Sequence, residues 1–216
     1  MKKYKYVLFD LDGTLTDSEP GILACLKHSL AYFGITGESD EKLRRMIGPP
    51  LGQSFMELYG FDEETALVAL EKYRERYTVT GIYENKVYSG ISELLPRLQT
   101  AGFVLILATS KPEVFAVRVI QHFGLDKYFS FISAGDLEQK HSEKVDIIRK
   151  ALAVNNITEL SEAVMIGDRK FDINGASLCG IDSIGVLYGY GDRDELEAAG
   201  ATYIAQNVED IESLLL

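Results

Sequence analysis

The sequence contains no tryptophan and only two cysteines among its 216 residues. Cys25 and Cys179 lie far apart, and neither belongs to a Cys-x-x-Cys pair or to a histidine spacing that would complete a zinc site. The sequence therefore indicates neither a disulfide framework nor a structural metal ion. Both cysteines are expected to be buried, reduced thiols.

Basic residues are also scarce. The chain has 22 Lys and Arg against 33 Asp and Glu, which gives a formal net charge of -11. Such a chain repels phosphate backbones and anionic lipid headgroups instead of attracting them. We therefore expect neither nucleic acid nor a membrane surface as a partner.

Long hydrophobic runs are missing as well. The basic start of the chain is followed by a short apolar run that Asp10 interrupts, so it lacks the hydrophobic core of a signal peptide. The longest later run, Phe103 to Ala108, is too short to span a bilayer. A cytoplasmic protein is expected.

The composition is that of a globular chain, with 46% hydrophobic and 25% charged residues. From residue 84 onward, short apolar runs alternate with stretches of helical period, which is typical of repeated βα units in an α/β fold. The predicted strands are Tyr6 to Phe9, Phe103 to Ala108, Ser130 to Ser133, Ala163 to Ile166, Ser183 to Val186 and Thr202 to Ala205. Their near-continuous apolar character favours a parallel sheet that is covered on both faces.

Residues 18 to 79 show no strand pattern, and their apolar residues recur at helical spacing in four stripes. This pattern predicts an all-helical insertion, built as a small bundle of short amphipathic helices. The expected organisation is therefore an α/β core of residues 1–16 and 84–216, with a helical cap of residues 17–83 inserted after the first strand.

Polar residues follow the predicted strands at the points where ligands gather in open parallel sheets. They are Asp10, Asp12, Gly13 and Thr14 after the first strand, Thr109, Ser110 and Lys111 after the second, and Gly167, Asp168 and Asp172 after the fourth; Lys144 begins the helix after the third. Converging carboxylates repel one another unless a cation neutralises them. Hard oxygen ligands favour Mg²⁺, with Asp10 and Asp168 as direct ligands and room for a phosphoryl group.

In their order along the chain, these residues resemble the motifs of the haloacid dehalogenase superfamily, in its phosphatase branch with a helical cap. The matching pattern is Asp10-x-Asp12-Gly13-Thr14, then Thr109, then Lys144, then Gly167-Asp168-x-x-x-Asp172, and it covers essentially the whole chain. The resemblance implies a Rossmann-like core with an inserted helical cap. Within the superfamily, the chain is most similar to phosphoglycolate phosphatases, some of whose relatives are described as 5′-nucleotidases.

The resemblance also implies a role for each residue. Asp10 is the expected nucleophile, which forms an aspartyl-phosphate, and Asp12 is the expected general acid and base. Thr109 and Ser110 hold phosphoryl oxygens, and Lys144 supplies positive charge. The implied Mg²⁺ ligands are Asp10, the backbone carbonyl of Asp12, and Asp168. Asp172 is implied to anchor the ion as well, either through a water molecule or by orienting Lys144.

Three of these assignments have alternatives. Lys140 is close enough in sequence to replace Lys144, which is preferred because a helix begins directly after it. Asp172 also suits the N-cap of the next helix. In the cap, Arg45 and the rigid turn from Gly48 to Leu51 are expected to contact the leaving group, although basic residues on helices are commonly only a solvated face.

The predicted reaction is hydrolysis of a small phosphomonoester, because the resemblance associates an acid at the position of Asp12 with phosphatases and mutases. Phosphoglycolate, a sugar phosphate and a nucleoside 5′-monophosphate are the candidate substrates. A sugar-phosphate mutase resembling β-phosphoglucomutase and a non-catalytic phospho-acceptor or binding module are the alternatives. We expect a monomer or a homodimer.

Overall fold

A computed structural model describes residues 3–138 and 142–216 of the chain. The chain forms two compact units, one of residues up to Thr16 together with Val87–Leu216, and one of Asp17–Lys86. The sequence pattern places the second boundary three residues earlier. Residues 84–86 contact the helical unit: the Glu84 carbonyl accepts a hydrogen bond from Gly21 N–H at 3.1 Å, and Lys86 pairs with Asp17 at 3.2 Å.

The strands and helices follow the predicted alternation closely. The strands are β1 (Tyr6–Phe9), β2 (Thr16–Asp17), β3 (Lys86–Val87), β4 (Val104–Pro112), β5 (Phe131–Gly135), β6 (Ala163–Gly167), β7 (Asp182–Val186) and β8 (Tyr203–Ala205). The α-helices are α1 (Glu19–Tyr32), α2 (Asp40–Arg44), α3 (Leu51–Tyr59), α4 (Glu63–Tyr77), α5 (Ile91–Thr100), α6 (Glu113–His122), α7 (Lys144–Val154), α8 (Lys170–Cys179), α9 (Arg193–Ala198) and α10 (Val208–Leu215).

The larger unit is built on a parallel sheet, which among the described residues has six strands in the order β5-β4-β1-β6-β7-β8. The predicted α/β fold is confirmed. Strand β1 lies in the middle of the sheet, and its residues Val7, Leu8 and Phe9 are apolar and fully buried, as a central parallel strand requires. Its neighbours on either side are β4 and β6, so the ends of these three strands lie side by side.

One face of the sheet is covered by α7 and α8. Ile147, Ile148 and Ala151 of α7 pack with Ala176 of α8 against apolar residues of the central strands, including Leu8. This buried contact fixes where α7 begins relative to the end of β1. The first residue of α7, Lys144, is thereby brought to the carboxyl edge of the sheet.

The smaller unit, Asp17–Lys86, contains the four helices α1 to α4, all of them within described residues. Helix α2 ends at Arg44, so Met46 and Ile47 lie beyond it, although they share an apolar stripe with Leu43. The helix cannot continue because Gly48 has a φ of 111° and two prolines without N–H donors follow. Met46 and Ile47 are buried nonetheless.

The two cysteines differ in burial. Both are free thiols, and Cys25 is buried as expected, whereas Cys179 at the end of α8 is only partly covered. Among residues 3–138 and 142–216, none of the helices combines the length and the apolar character that crossing a membrane requires.

Candidate active site

Three acidic side chains meet at the carboxyl edge of the sheet. Asp10 directly follows β1, while Asp168 and Asp172 lie in and just after the turn between β6 and α8. One carboxylate oxygen from each of the three lies within 4.8 Å of the others, and all three side chains are buried. The structure therefore brings together the acidic residues that the sequence places far apart.

Lys144 lies among these carboxylates. Its ammonium Nζ is 2.7 Å from Asp10 Oδ1 and 2.8 Å from Asp172 Oδ1, and it donates a hydrogen bond to the Ala108 carbonyl at 3.1 Å. Burial alone would lower the pKa of Lys144, but the two carboxylates outweigh it and hold that pKa above its usual range. Lys144 is thus a charged partner of Asp10. Lys140, the alternative, lies outside the described residues.

Burial also acts on the acids. It is the main cause that raises the pKa of Asp10 to about 6, although the Lys144 ammonium opposes the rise. It likewise raises the pKa of Asp168 well above the usual range, and the neighbouring carboxylates of Asp172 and Asp10 add to the effect. Both shifts come chiefly from burial, and the neighbouring carboxylates add to them, so the buried site disfavours the ionised forms of these two acids.

The donor set fits a divalent cation. Asp10, Asp168 and Asp172 supply hard carboxylate oxygens, which are the ligands that Mg²⁺ prefers. In addition, Asp12 Oδ1 is buried and has no hydrogen-bond partner among the described residues. An uncompensated acidic pocket with an unsatisfied oxygen is the arrangement that a bound cation and its water would complete.

Asp12 makes a contact that the sequence did not suggest. Its Oδ2 lies 2.6 Å from the Nζ of Lys111, and both side chains are largely buried, with 15% and 7% of their surface exposed. Lys111 lies where the pairing of β4 with β5 shifts register, between Thr109 and Pro112, an irregularity of the bulge type. Lys111 is therefore part of the site.

Thr109 is the last buried residue of β4 before this bulge. Its Oγ1 accepts a hydrogen bond from the Lys111 backbone N–H at 3.2 Å, so the hydroxyl proton can still be donated to a ligand. Ser110, the other predicted phosphoryl contact, is partly exposed beside it. The end of β4 thus presents donors next to Asp10.

Asp168 is enclosed by two other segments. Its Oδ1 accepts a hydrogen bond from the Thr14 hydroxyl at 3.3 Å, and its Oδ2 accepts one from the Tyr190 backbone N–H at 2.8 Å. Gly13, at φ 85°, and Gly189 lie so close that a Cβ atom on either would collide with the Asp168 carboxylate. This packing holds the carboxylate in one place.

Asp172 serves two purposes at once. Its Oδ2 accepts a hydrogen bond from the Arg169 backbone N–H at 3.1 Å, while its Oδ1 faces Lys144. The sequence allowed Asp172 as the N-cap, but α8 begins two residues earlier, at Lys170, and Asp172 is the third helical residue. Asp172 therefore caps the Arg169 N–H at the start of α8 from inside the helix and orients Lys144.

Arg45 and Gly48, the predicted cap contacts, belong to the other unit. Arg45 follows the last residue of α2 and is exposed, and Gly48 lies in the turn before α3. Their contact with the leaving group remains a prediction.

Known proteins that are similar to this chain include hydrolases and phosphatases. A family model described as haloacid dehalogenase-like hydrolase matches residues 7–186. A 5′-nucleotidase of Pseudomonas aeruginosa is 43% identical over 99% of this chain and 96% of its own length. The tyrosine-protein kinase PtkA of Mycobacterium tuberculosis is 36% identical over 97% and 72% of the two chains, and a Vibrio parahaemolyticus phosphoglycolate phosphatase is 29% identical over 96% and 94%.

A solved structure is similar throughout. The crystal structure of a predicted phosphatase from Clostridium acetobutylicum matches with a TM-score of 0.94 and 49% identity over 97% of both chains.

Proposed function

Since this chain belongs to the haloacid dehalogenase-like hydrolases and is a phosphatase, we propose that it hydrolyses small phosphomonoesters in two steps through an aspartyl-phosphate on Asp10. The observation that carries the proposal is the buried ion pair of 2.7 Å between Asp10 and Lys144, beside two further carboxylates at one sheet edge. A nucleophilic carboxylate needs a neighbouring cation to approach a phosphoryl dianion.

Mg²⁺ is the proposed cofactor, with oxygens of Asp10, Asp168 and Asp172 and the backbone carbonyl of Asp12 as its ligands. When bound, the ion supplies the positive charge that stabilises a transferring phosphoryl group. The charges of the site residues support this assignment. The carboxylates of Asp10, Asp168 and Asp172 carry three negative charges and lie with the single ammonium group of Lys144, so one divalent cation restores neutrality.

In the first step, a carboxylate oxygen of Asp10 attacks phosphorus, and the bond between phosphorus and the ester oxygen breaks. Asp12 donates a proton to that oxygen, so the leaving group departs as an alcohol. Thr109 and Ser110 hold the phosphoryl oxygens, and Lys144 offsets the charge on the nucleophile.

In the second step, Asp12 takes a proton from a water molecule, and the water oxygen attacks the same phosphorus atom. The bond from phosphorus to Asp10 breaks, which releases inorganic phosphate and regenerates both carboxyl groups in their starting forms. One residue therefore acts as acid and then as base. This cycle requires Asp12 to be held beside the ester oxygen, which is the role we assign to Lys111.

Phosphoglycolate, a sugar phosphate and a nucleoside 5′-monophosphate remain the candidate substrates, and the enzyme is proposed to act in the cytoplasm. The names of two relatives, a 5′-nucleotidase and a phosphoglycolate phosphatase, agree with two of these substrates.

A phosphate-release assay tests the proposal. We expect hydrolysis of p-nitrophenyl phosphate and of at least one small ester with Mg²⁺, complete loss of turnover in EDTA, and recovery when Mg²⁺ is restored. A sugar-phosphate mutase would instead convert its substrate with little free phosphate. A phospho-acceptor module would release one equivalent at most, and either result would contradict the proposal.

Replacing Lys111 with Met is expected to slow hydrolysis of alkyl phosphates about tenfold more than that of p-nitrophenyl phosphate. The physical reason is that p-nitrophenolate leaves without a proton, whereas an alkoxide needs the correctly placed Asp12 acid. The ratio of kcat/KM for the two substrates measures the effect, and Lys111→Arg, which keeps the cation, is the control. An equal loss on both substrates would remove Lys111 from the role of orienting Asp12.

A further inference from the structure

The chain that follows β7 reaches back to the segment that joins β6 to the first turn of α8, which contains Asp168 and Asp172. We propose that Glu195, on α9, is a positioning residue for this metal-binding turn, defined as residues 167–172. The inference rests on the proposed function, because it takes Asp168 and Asp172 as Mg²⁺ ligands. Glu195 does not belong to any of the motifs discussed above.

Glu195 is bonded to the turn through both of its oxygens. Glu195 Oε1 accepts hydrogen bonds from Arg169 Nε at 2.8 Å and from the Lys170 backbone N–H at 2.9 Å. Its Oε2 accepts a longer one from Arg169 Nη2 at 3.4 Å. A carboxylate and a guanidinium in this paired arrangement fix orientation as well as distance.

The bond to Lys170 also satisfies an orphan donor. Lys170 is the first residue of α8, and N–H groups in the first turn of a helix have no partner within the helix. Asp172 supplies the acceptor for the N–H of Arg169, and Glu195 supplies the acceptor for that of Lys170. Two successive backbone groups between Asp168 and Asp172 are therefore held by two carboxylates from different elements.

Glu195 is itself held firmly enough to act as a support. Its backbone N–H donates to Oδ1 of the N-cap residue Asp192 at 2.8 Å, which fixes the first turn of α9. The ion pair with Arg169 is mostly covered, with 12% and 22% of the two side chains exposed, so water screens it little.

The same segment contacts Asp168 directly. The Tyr190 backbone N–H bonds to Asp168 Oδ2, and Gly191 lies so close to the Asp168 carbonyl that a Cβ atom would collide with it. Residues 190–195 thus contact the turn at Asp168, Arg169 and Lys170. Together, these contacts leave the turn little freedom to move away from Asp10.

Mg²⁺ tolerates little displacement of its ligands, because it requires nearly octahedral geometry with short metal–oxygen distances. A turn released on one side should therefore lose metal affinity while the sheet and helices stay folded. Outer contacts that orient metal ligands commonly change metal affinity about 10- to 100-fold when they are removed.

The test compares Glu195→Ala and Glu195→Gln with Glu197→Ala. Glu197 lies on the same helix and pairs with Arg193 at 2.8 Å, but 54% of its side chain is exposed and its partner is outside the metal-binding turn. Mg²⁺ affinity is measured without substrate, by titration calorimetry and by the rise in Tm with Mg²⁺ concentration. The Mg²⁺ dependence of p-nitrophenyl phosphate hydrolysis is recorded in parallel.

We expect Glu195→Ala to weaken Mg²⁺ binding about 10- to 100-fold, with kcat at saturating Mg²⁺ reduced only a few-fold. Glu195→Gln should lose less, because its amide oxygen still accepts from Lys170 N–H. Glu197→Ala should bind Mg²⁺ like the wild type.

Unchanged Mg²⁺ affinity in both Glu195 variants overturns the inference. If their Tm without metal is lower but their Mg²⁺ affinity is unchanged, the contact of Glu195 with the turn is purely structural. If Glu195→Ala does not fold, Glu195→Gln decides the question alone. Wild-type protein that binds no Mg²⁺ would overturn the proposed metal site itself, which distinguishes failure of the proposed function from failure of this inference.

Discussion

Asp10→Asn is expected to lower the hydrolysis of p-nitrophenyl phosphate by at least about 10⁴-fold, because an amide cannot form the acyl-phosphate on which both steps depend. The substitution keeps the size of the side chain and removes one buried negative charge. The fold should therefore persist, and the Tm measured without metal should not fall. Steady-state kinetics and circular dichroism measure the two parts of this expectation.

A stronger form of the same experiment looks for the covalent intermediate. Rapid acid quenching of the wild type during turnover should leave a phosphoryl group on Asp10, detectable by mass spectrometry, and Asp10→Asn should carry none. Asp126→Asn is the matched control because Asp126 is exposed and lies outside the site. Near-normal turnover by Asp10→Asn would remove Asp10 as the nucleophile.

Lys144→Met is expected to lower kcat/KM by about 10²- to 10³-fold and the free energy of unfolding, without metal at neutral pH, by about 3–5 kcal/mol. The methionine keeps the length of the side chain but leaves the carboxylates of Asp10 and Asp172 buried without their ammonium partner. Lys150→Met, on the exposed face of the same helix, is the control and should change neither quantity appreciably.

The stability loss has a defined pH dependence. The pKa of Asp10 is already raised to about 6 in the folded wild type, and the Lys144 ammonium acts to lower it, so losing that ammonium raises it further. In the variant, the folded state then holds protons to higher pH than in the wild type. The deficit should be full above that raised pKa and should shrink as the pH falls toward about 5, where Asp10 is mostly protonated in both proteins.

Denaturant unfolding at several pH values measures this dependence. A deficit that does not change with pH would mean that Lys144 contributes packing and not charge to this site.

Much of the fold could be predicted from the sequence because each strand of a covered parallel sheet is a short apolar run. The run from Tyr6 to Phe9 coincides with β1 for this reason. Strand β4 was harder: the apolar run ends at Ala108, while the strand continues to Pro112 through polar residues. Pro112 pairs with Gly135 of β5 after the register shift. Because this partner is distant in sequence, the local pattern of apolar residues does not predict the extension of the strand.

The candidate site shows the same division. Asp10, Asp168, Asp172 and Lys144 could be brought together from the order of their motifs, because strand ends converge at one sheet edge. For Lys111 the sequence indicates only a polar residue after a strand, since its contact with Asp12 joins residues 99 positions apart and leaves no local pattern. Glu195 carried no signal, because a carboxylate in the first turn of a helix is ordinary in any sequence.

The neighbourhood of Asp168 has a consequence for how this protein can change over time. Gly13, Gly189 and Gly191 contribute no reactive atom, yet a single methyl group on any of them would occupy space already filled by Asp168. Evolutionary drift at these three sites is therefore blocked by volume and not by chemistry. An added carbon at any of the three is therefore expected to displace Asp168 although every carboxylate of the site is still present.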